Sequence, residues 1–407
     1  MKAMVFTSSL LFGWASAQSA WAANPYPTNG TCDGLPKINL KTPTGTCVGV
    51  VASDLKMPRG ILPLADDVLL VTEMGGWDKG RGRLSRLLWQ NGHFERSTLL
   101  DNLDRPHGIA LGADGWVYIS EASRIIRINP QSLKDTPQVV IDQLPDGGNH
   151  PLKQILFGND GALYISMGAQ TDHCENANGS APKYPCAEAV GTRATGSVWK
   201  VTGWQKNQPQ SVVYARGLRN AMGMTWSAKG ELVVTDNGRD FINRSNAQLS
   251  DAQLPHDELN VVAQNADYGW PYCYDHNRVN PEYSKYAQAC ANKTPPAVLL
   301  PAHSAPLGII RYPDSGEIAA LRGQYIVALH GYRDTGHRLV VFDSNAAGQP
   351  EGKMTEVIGD WAAKGKQPMG APTEVRAAPS GKLYITDDRN GVVLRLSKQQ
   401  QSFASQM

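Results

Sequence analysis

One phrase recurs six times along this chain, and it restricts the fold more than any other feature. A polar or proline-containing lead-in runs into a short apolar strand. A tight turn follows, and then a second strand that ends in small or acidic residues. The copies begin at Arg59 (RGILPLADDVLLVTE), His107 (HGIALGADGWVYISE) and His150 (HPLKQILFGNDGALYISMG). They continue at Arg219 (RNAMGMTWSAKGELVVTDNG), Pro306 (PLGIIRYPDSGEIAALRGQYIVALHG) and Pro372 (PTEVRAAPSGKLYITDD). The dipeptides Asp114-Gly115, Asp160-Gly161, Lys229-Gly230 and Ser380-Gly381 supply the positive φ that tight hairpins need. The strands between them are rich in Val, Ile, Tyr and Leu. Most copies carry a further apolar segment, such as Arg124–Ile128, Gly196–Val201 or Arg338–Phe342. Four or five strand pairs would suit a sandwich. Six units of this kind predict an all-β, six-bladed β-propeller, in which small antiparallel sheets stack around an axis. The copies are unevenly spaced, which predicts long loop insertions in blades four and five, with Cys273 and Cys290 inside them.

The chain has 407 residues, and its N-terminus has the layout of an export signal. Lys2 precedes a short apolar run, and Ala20 and Ala22 flank Trp21, so residues 1–22 read as a signal peptide with an A-x-A cleavage site. Residues 23–407 then form one propeller domain, placed in the periplasm or secreted. The apolar run is too short to span a bilayer. Six cysteines follow it, none in a CxxC or CxxCH arrangement, which leaves zinc and covalent haem unsupported. An even count in an exported chain favours disulfides. Fifteen pairings are open, and short loop closure favours Cys32–Cys47, Cys174–Cys186 and Cys273–Cys290. The formal net charge is +2 with no long run of one sign, which argues against a nucleic-acid partner.

In a propeller the innermost strand of each blade runs along the axis, so residues just before those strands converge at one face. Reading these positions gives Arg59, Arg105, His107, His150, Arg219 and Asn220. Each has an ordinary reading: His107 as a satisfied channel histidine, Arg59 as a partner of Glu73. As a set, like charges gathered in a channel are costly unless an anionic ligand occupies it.

Particular phrases carry a resemblance. They are Asn149-His150, Gly217-Leu218-Arg219-Asn220, and Asp257-Glu258-Leu259-Asn260 followed by Asp267-Tyr268-Gly269-Trp270-Pro271. Together they resemble the pyrroloquinoline-quinone (PQQ) dependent soluble sugar dehydrogenase family, which includes soluble quinoprotein glucose dehydrogenase, aldose sugar dehydrogenase and sorbosone dehydrogenase. The phrases YGWPYC (Tyr268–Cys273), PAHSAPLGI (Pro301–Ile309) and LHGYR (Leu329–Arg333) are most similar to the sorbosone or pyranose dehydrogenase branch. The resemblance runs from about Pro58 to Leu396. It implies a quinoprotein oxidoreductase that oxidises a sugar or aldehyde by hydride transfer to the quinone. His150 is then the base that takes the hydroxyl proton. Arg219 is the cation beside the reactive carbonyl, and Asn220 donates hydrogen bonds to the cofactor. Arg59, His107, Lys153 and Arg333 join Arg219 in a basic channel for the three carboxylates of the quinone. Glu258, through its side chain, and Tyr268, through its carbonyl, match positions that hold a structural Ca²⁺. Leu254 and Pro255 are candidates for backbone carbonyls to a second one.

One departure stands out. The glucose dehydrogenase branch has two arginines leading into its last blade, where this chain has Ala371-Pro372-Thr373-Glu374. Either Arg333 and Arg59 substitute for them, or the quinone is held weakly, or it is not held at all. Two other functions fit the same fold. A Ca²⁺-dependent lactonase would gather carboxylates around one metal, with Glu73, Glu121, Asp236, Asn237 and Asp387 as the supply. A non-catalytic ligand-binding propeller needs no such chemistry. As a dehydrogenase without a haem motif, the protein would pass electrons to a separate acceptor: a cytochrome, a quinone or a dye.

Overall fold

Each of the six phrases folds into the two inner strands of a four-stranded antiparallel sheet. The computed structural model describes residues 24–132, 135–176, 184–206, 208–331, 333–362 and 370–399, so the signal segment proposed at residues 1–22 lies outside them. Blade one is Pro58–Ala65, Val68–Glu73, Gly82–Gln90 and His93–Leu103. Blade two is Ile109–Leu111, Val117–Ser120, Ile125–Ile128 and Gln138–Ile141; blade three is Ile155–Phe157, Leu163–Met167, Ser197–Thr202 and Gln210–Arg216. Blade four is Gly223–Trp226, Leu232–Asp236, Asp257–Val262 and Val298–Leu300; blade five is Pro306–Arg311, Tyr325–Leu329, Arg338–Ser344 and Pro350–Ile358. Blade six combines Pro372–Ala377, Leu383–Asp387 and Val392–Lys398 with Thr46–Ala52 from the other end of the chain. That last pairing closes the ring, and the hairpin Thr28–Cys32/Leu35–Ile38 extends the same sheet.

Alternation along the strands gives every blade two apolar faces, and neighbouring blades bury them against each other. Leu70 and Leu84 of blade one meet Ile109, Val117 and Ile119 of blade two. Tyr118 of blade two meets Ile155, Leu163 and Trp199 of blade three.

Polar groups fasten the blades near the axis. The second strand repeatedly ends in a hydroxyl residue followed by an acid: Thr72-Glu73, Ser120-Glu121, Thr235-Asp236 and Thr386-Asp387. Thr72 Oγ1 accepts from the Gly60 amide of its own blade at 2.8 Å and donates to the His107 carbonyl of the next at 2.8 Å. Ser120 does the same with Gly108 N and Lys153 O, and Thr235 with Gly223 N and Leu307 O. This close approach needs glycine. A Cβ on Gly60 would sit 2.2 Å from the His107 carbonyl, and one on Gly223 would sit 2.0 Å from the Leu307 carbonyl. The acids that follow bind the lead-in of their own blade: Glu73 takes Lys56 N, Glu121 takes Asp104 N, Asp236 takes Arg219 N and Asn220 N, and Asp387 takes Ala371 N. Thr72→Val should therefore cost about 1–3 kcal/mol, because it keeps the volume and strands a buried amide and carbonyl. Urea unfolding checks this; an unchanged midpoint would remove the hydroxyl from the stability of the ring.

The insertions differ from expectation. Blade four carries two, 237–256 and 263–297; the second holds the short pair Cys273–Tyr274/Arg278–Val279 and the 3₁₀ stretch Pro281–Cys290. Blade three carries one at 168–196, whereas blade five is joined through 312–324, 330–337 and 345–349. The long interval between Arg219 and Pro306 is used up inside blade four, and the interval after Pro306 goes partly into the long outer strand Pro350–Ile358. All three disulfides pair as expected. Cys32–Cys47 ties the N-terminal hairpin to the closing strand, and the other two brace the insertions of blades three and four. Among the described residues no helix is long and apolar enough to cross a membrane.

Candidate functional site

The lead-in loops and the insertions enclose a cavity of about 730 Å³. Its floor is apolar: Leu152, Met222 and Leu307 face it and pack around the buried Met74. Its walls are polar, with His150, Arg219, Asn220 and Arg59 all lining it. A flat ligand with charged edges suits such a box.

His150 is fixed by one contact. Its Nδ1 lies 2.6 Å from the Ala169 carbonyl. A carbonyl only accepts, so Nδ1 carries the proton and Nε2 is left as the acceptor. Burial, and after it the charge of Arg219, bring the ring down to about 3, so it is neutral at physiological pH. Arg219 spreads its fork over four acceptors: the Asp172 carboxylate at 2.5 Å, the Asp172 carbonyl, the Asn237 carbonyl and Asp240. Burial alone would raise Asp172, but the His173 hydrogen bond and the Arg219 charge outweigh it and hold the carboxyl below its usual range. The Asn220 amide is taken by Asp236, while its side-chain Oδ1 is buried without a partner among the described residues.

Arg59 does not pair with Glu73, whose oxygens serve Lys56 N and Ser85 Oγ. It binds Asp388 at 2.6 Å and reaches His107 Nδ1 at 3.3 Å. The other oxygen of Asp388 contacts His330 Nε2 at 2.9 Å. Burial opposes ionisation of Asp388, yet His330 and Arg59 bring it down to about 2.

Several residues expected at the site do not line the cavity. His107 is 1% exposed beneath Arg59, and burial pushes its pKa well down. Lys153 comes after the floor residue Leu152; it is sealed with its ammonium on the Pro151 carbonyl at 2.7 Å, and burial brings it down to about 7. Arg105 is paired with Asp104. Arg333 is held outside the wall by Asp251, at 2.6 Å. The cavity is also not simply cationic. Arg59, Arg219, Arg239 and Arg244 share its lining with Asp172, Glu175, Asp240 and Asp257. Sequence reasoning missed His303, which contacts Asp240 at 3.2 Å, together with His330 and Asp172. His303 lies on the lead-in of blade five, within the phrase PAHSAPLGI.

Beside this cavity is a second, of about 30 Å³, walled by Asp236, Asn237, Pro255, Glu258 and Tyr268 among others. Burial raises Asp236, in this wall, to about 7, and Asp257, which lines the large cavity, to about 6. Burial and the neighbouring Asp236 push Glu258 well up. Mutually repelling carboxylates around a small oxygen-rich space fit a hard divalent cation. Both oxygens of Asp236 are engaged by amides, which makes Glu258 the carboxylate with capacity to spare. Leu254 is not among the residues of that wall; its amide binds Ser250 O.

The acids named for a lactonase do not converge. Glu73, Glu121 and Asp387 each serve backbone amides of their own blade, as described above.

The model of a family described as TrAA12-like matches residues 40–399. The fold is similar to the iodide structure of a Trichoderma reesei carbohydrate-active enzyme of family AA12, with TM-score 0.70 and 19% identity over 91% of this chain and 100% of that one. It is similar to the holo PQQ domain of pyranose dehydrogenase from Coprinopsis cinerea, with TM-score 0.70 and 18% identity over 90% and 99%. The PQQ-bound aldose sugar dehydrogenase of Streptomyces coelicolor gives TM-score 0.58 and 21% identity over 88% and 100%. Among curated proteins, an uncharacterized protein of Borreliella burgdorferi is 26% identical over 199 residues, and the chain spans about half of its length.

Proposed function

The chain belongs to the TrAA12-like family, and from that premise we propose that it is a PQQ-dependent dehydrogenase that oxidises a sugar or aldehyde. One observation carries the reading: a neutral histidine with its acceptor nitrogen set, an arginine and an asparagine stand together over an apolar floor. When bound, PQQ supplies the two-electron acceptor for hydride. Leu152, Met222 and Leu307 would support its rings, and Arg219, Arg59 and Asn220 would hold its polar edge. His150 Nε2 takes the proton of the substrate hydroxyl, and Nδ1 stays on Ala169 so that the ring cannot turn away. Arg219 stabilises negative charge that grows on oxygen in the transition state. Asp172, His303 and His330 position these groups and offer hydrogen bonds to a hydroxylated substrate.

Glu258 would hold Ca²⁺ in the smaller cavity, with the Tyr268 carbonyl as a second donor. Chelator should then lower the melting temperature and Ca²⁺ should restore it, because a ligand bound only by the native state stabilises it. Glu258→Gln should weaken that response; a wild-type curve indifferent to chelator counts against the site. The three disulfides support a periplasmic or secreted location. The electron acceptor would be a separate carrier. The direct test adds PQQ and Ca²⁺ to the purified protein and asks for bound-quinone absorbance and dye reduction with sugars or aldehydes. Absence of both, with the protein folded, would leave a binding propeller.

A further inference from the structure

The blade-four insertion at 237–256 forms part of the cavity wall, with Asn237, Asp240 and Ser245 in the lining, and blade five ties it down. His303, on the lead-in of blade five, is buried between two groups of that insertion. Its Nε2 lies 2.6 Å from the Asp251 carbonyl, and its Nδ1 lies 3.2 Å from one carboxylate oxygen of Asp240. A carbonyl only accepts, and so does an ionised carboxylate. A neutral imidazole has a single N–H and satisfies one of them; satisfying both takes the imidazolium. The backbone is set for this reach. His303 stands in the left-handed region at φ 57°, where a residue with a Cβ persists only when its surroundings fix it.

The charges around the ring agree with this. Asp240 and Asp251 face it from the insertion, the Asp251 carboxylate at 3.7 Å. Asp257 faces the same turn from the third strand of blade four and binds the Ser304 hydroxyl and the Ala305 amide. Arg333 opposes them, but its guanidinium is engaged by Asp251 at 2.6 Å. The Asp240 hydrogen bond outweighs burial and Arg333, and it raises the imidazole above the ordinary histidine value. Arg219 shares these partners. It reaches the Asn237 carbonyl at 3.2 Å and the other oxygen of Asp240 at 3.4 Å. The Asp240 amide also donates, at 3.0 Å, to the same Asp172 oxygen that Arg219 binds.

We propose that His303 is a positioning residue, an imidazolium clasp that pins the 237–256 insertion to blade five, aims Arg219 and gives the site an alkaline limit of its own. The effect on turnover rests on the dehydrogenase reading above; the clasp itself does not. When the ring gives up a proton, the one that remains stays at Nε2, on the shorter contact with Asp251. Nδ1 then turns a lone pair toward Asp240, and two acceptors repel. Asp240 moves away from the ring, and the contacts that it and Asn237 make with Arg219 are redrawn. His150 sets no such limit, because its ring is already neutral through this range.

Full-length protein carrying ¹⁵N-labelled histidine, without quinone, reads the ring directly. Both His303 nitrogens should be protonated in the acid form, and the midpoint should lie above the ordinary value of about 6.5. Asp240→Asn, which keeps the ring and removes the carboxylate, should bring that midpoint down. His303→Asn identifies the resonances and tolerates the left-handed backbone, but it carries no charge. The folded ring keeps its proton to higher pH than the unfolded one. Its contribution to stability is therefore complete below about 6.5 and is lost as pH rises through the folded midpoint. The melting advantage of the wild type over His303→Asn should shrink in that direction. In protein loaded with PQQ and Ca²⁺, dye reduction with a panel of aldoses and aldehydes should fall about 10-fold across the same midpoint, the worth of one charge-assisted hydrogen bond. His303→Asn should show the lower rate throughout, with no fall. A midpoint at or below about 6.5, or an equal alkaline fall in wild type and His303→Asn, would overturn the clasp and leave the dehydrogenase standing. A raised His303 midpoint that Asp240→Asn brings down, in a protein that reduces no dye with any of the panel, would defeat the dehydrogenase reading and keep the clasp.

Discussion

Replacing His150 by alanine lowers kcat by about 10²–10⁴-fold, the usual worth of a positioned general base. The quinone should still bind nearly as well, because Arg219, Arg59 and the apolar floor are untouched. The imidazole acts as a base because it is neutral and because Ala169 holds its Nδ1 proton. Alanine removes that acceptor. The variant also carries a pH signature. The folded ring resists protonation down to about 3, whereas an unfolded histidine takes a proton near 6.5. Between these values the unfolded state binds more protons, so His150 erodes stability as pH falls through that window. His150→Ala should be the less acid-sensitive protein there. A variant that keeps most of its turnover would take the base out of the mechanism, and with it the main argument for an enzyme over a binder.

Arg219→Ala should damage stability, quinone affinity and rate together. Arg219 is 6% exposed, and its guanidinium bridges Asp172, Asp240 and two backbone carbonyls. Removing it leaves Asp172 without its arginine partner, and breaking a buried ion pair in this way costs about 3–5 kcal/mol. Affinity for the quinone should fall about 10–100-fold, as for the loss of one charged hydrogen bond, and kcat falls in addition because the cation also faces charge developing in the transition state. Arg219→Lys keeps the charge but cannot reach four acceptors at once, so it should recover part of the affinity and little of the stability. Calorimetry and quinone titration separate these effects. Unchanged melting in Arg219→Ala would contradict the network; unchanged quinone binding would contradict the assignment of the site.

The blades were legible because their turns and strands are local. Asp114-Gly115 or Ser380-Gly381 between apolar runs announces a hairpin wherever it occurs. His150, Arg219, Asn220 and Arg59 were legible because topology carries residues just before an inner strand to the axis. The same rule overreached at Arg105 and His107, and the resemblance did so at Lys153. His107 and Lys153 are buried and line no part of the cavity, and depth along a strand has no mark in the sequence. Partners were the least legible. Asp172, Asp240 and Asp251 come from insertions with no periodicity, so nothing announced that Arg219 and Arg333 would meet carboxylates there. Asp388 is different: it directly follows the acid that ends the second strand of blade six, and only the closed ring brings it to Arg59. Placement of the insertions failed for a simpler reason, since the interval between two copies does not say which loop of a blade absorbs it.

The ring is fastened where its two ends meet, and one wall of the cavity is built on that joint. Thr46–Ala52 completes blade six, Thr373 and Thr386 donate to the carbonyls of Pro58 and Arg59 across the boundary, and the Arg59–Asp388 pair spans it at the cavity wall. A ligand that grips Arg59 therefore works as a key in a clasp. While it is seated, the two ends cannot part without also releasing it, and the closing strand borrows part of its resistance to opening from whatever the cavity holds.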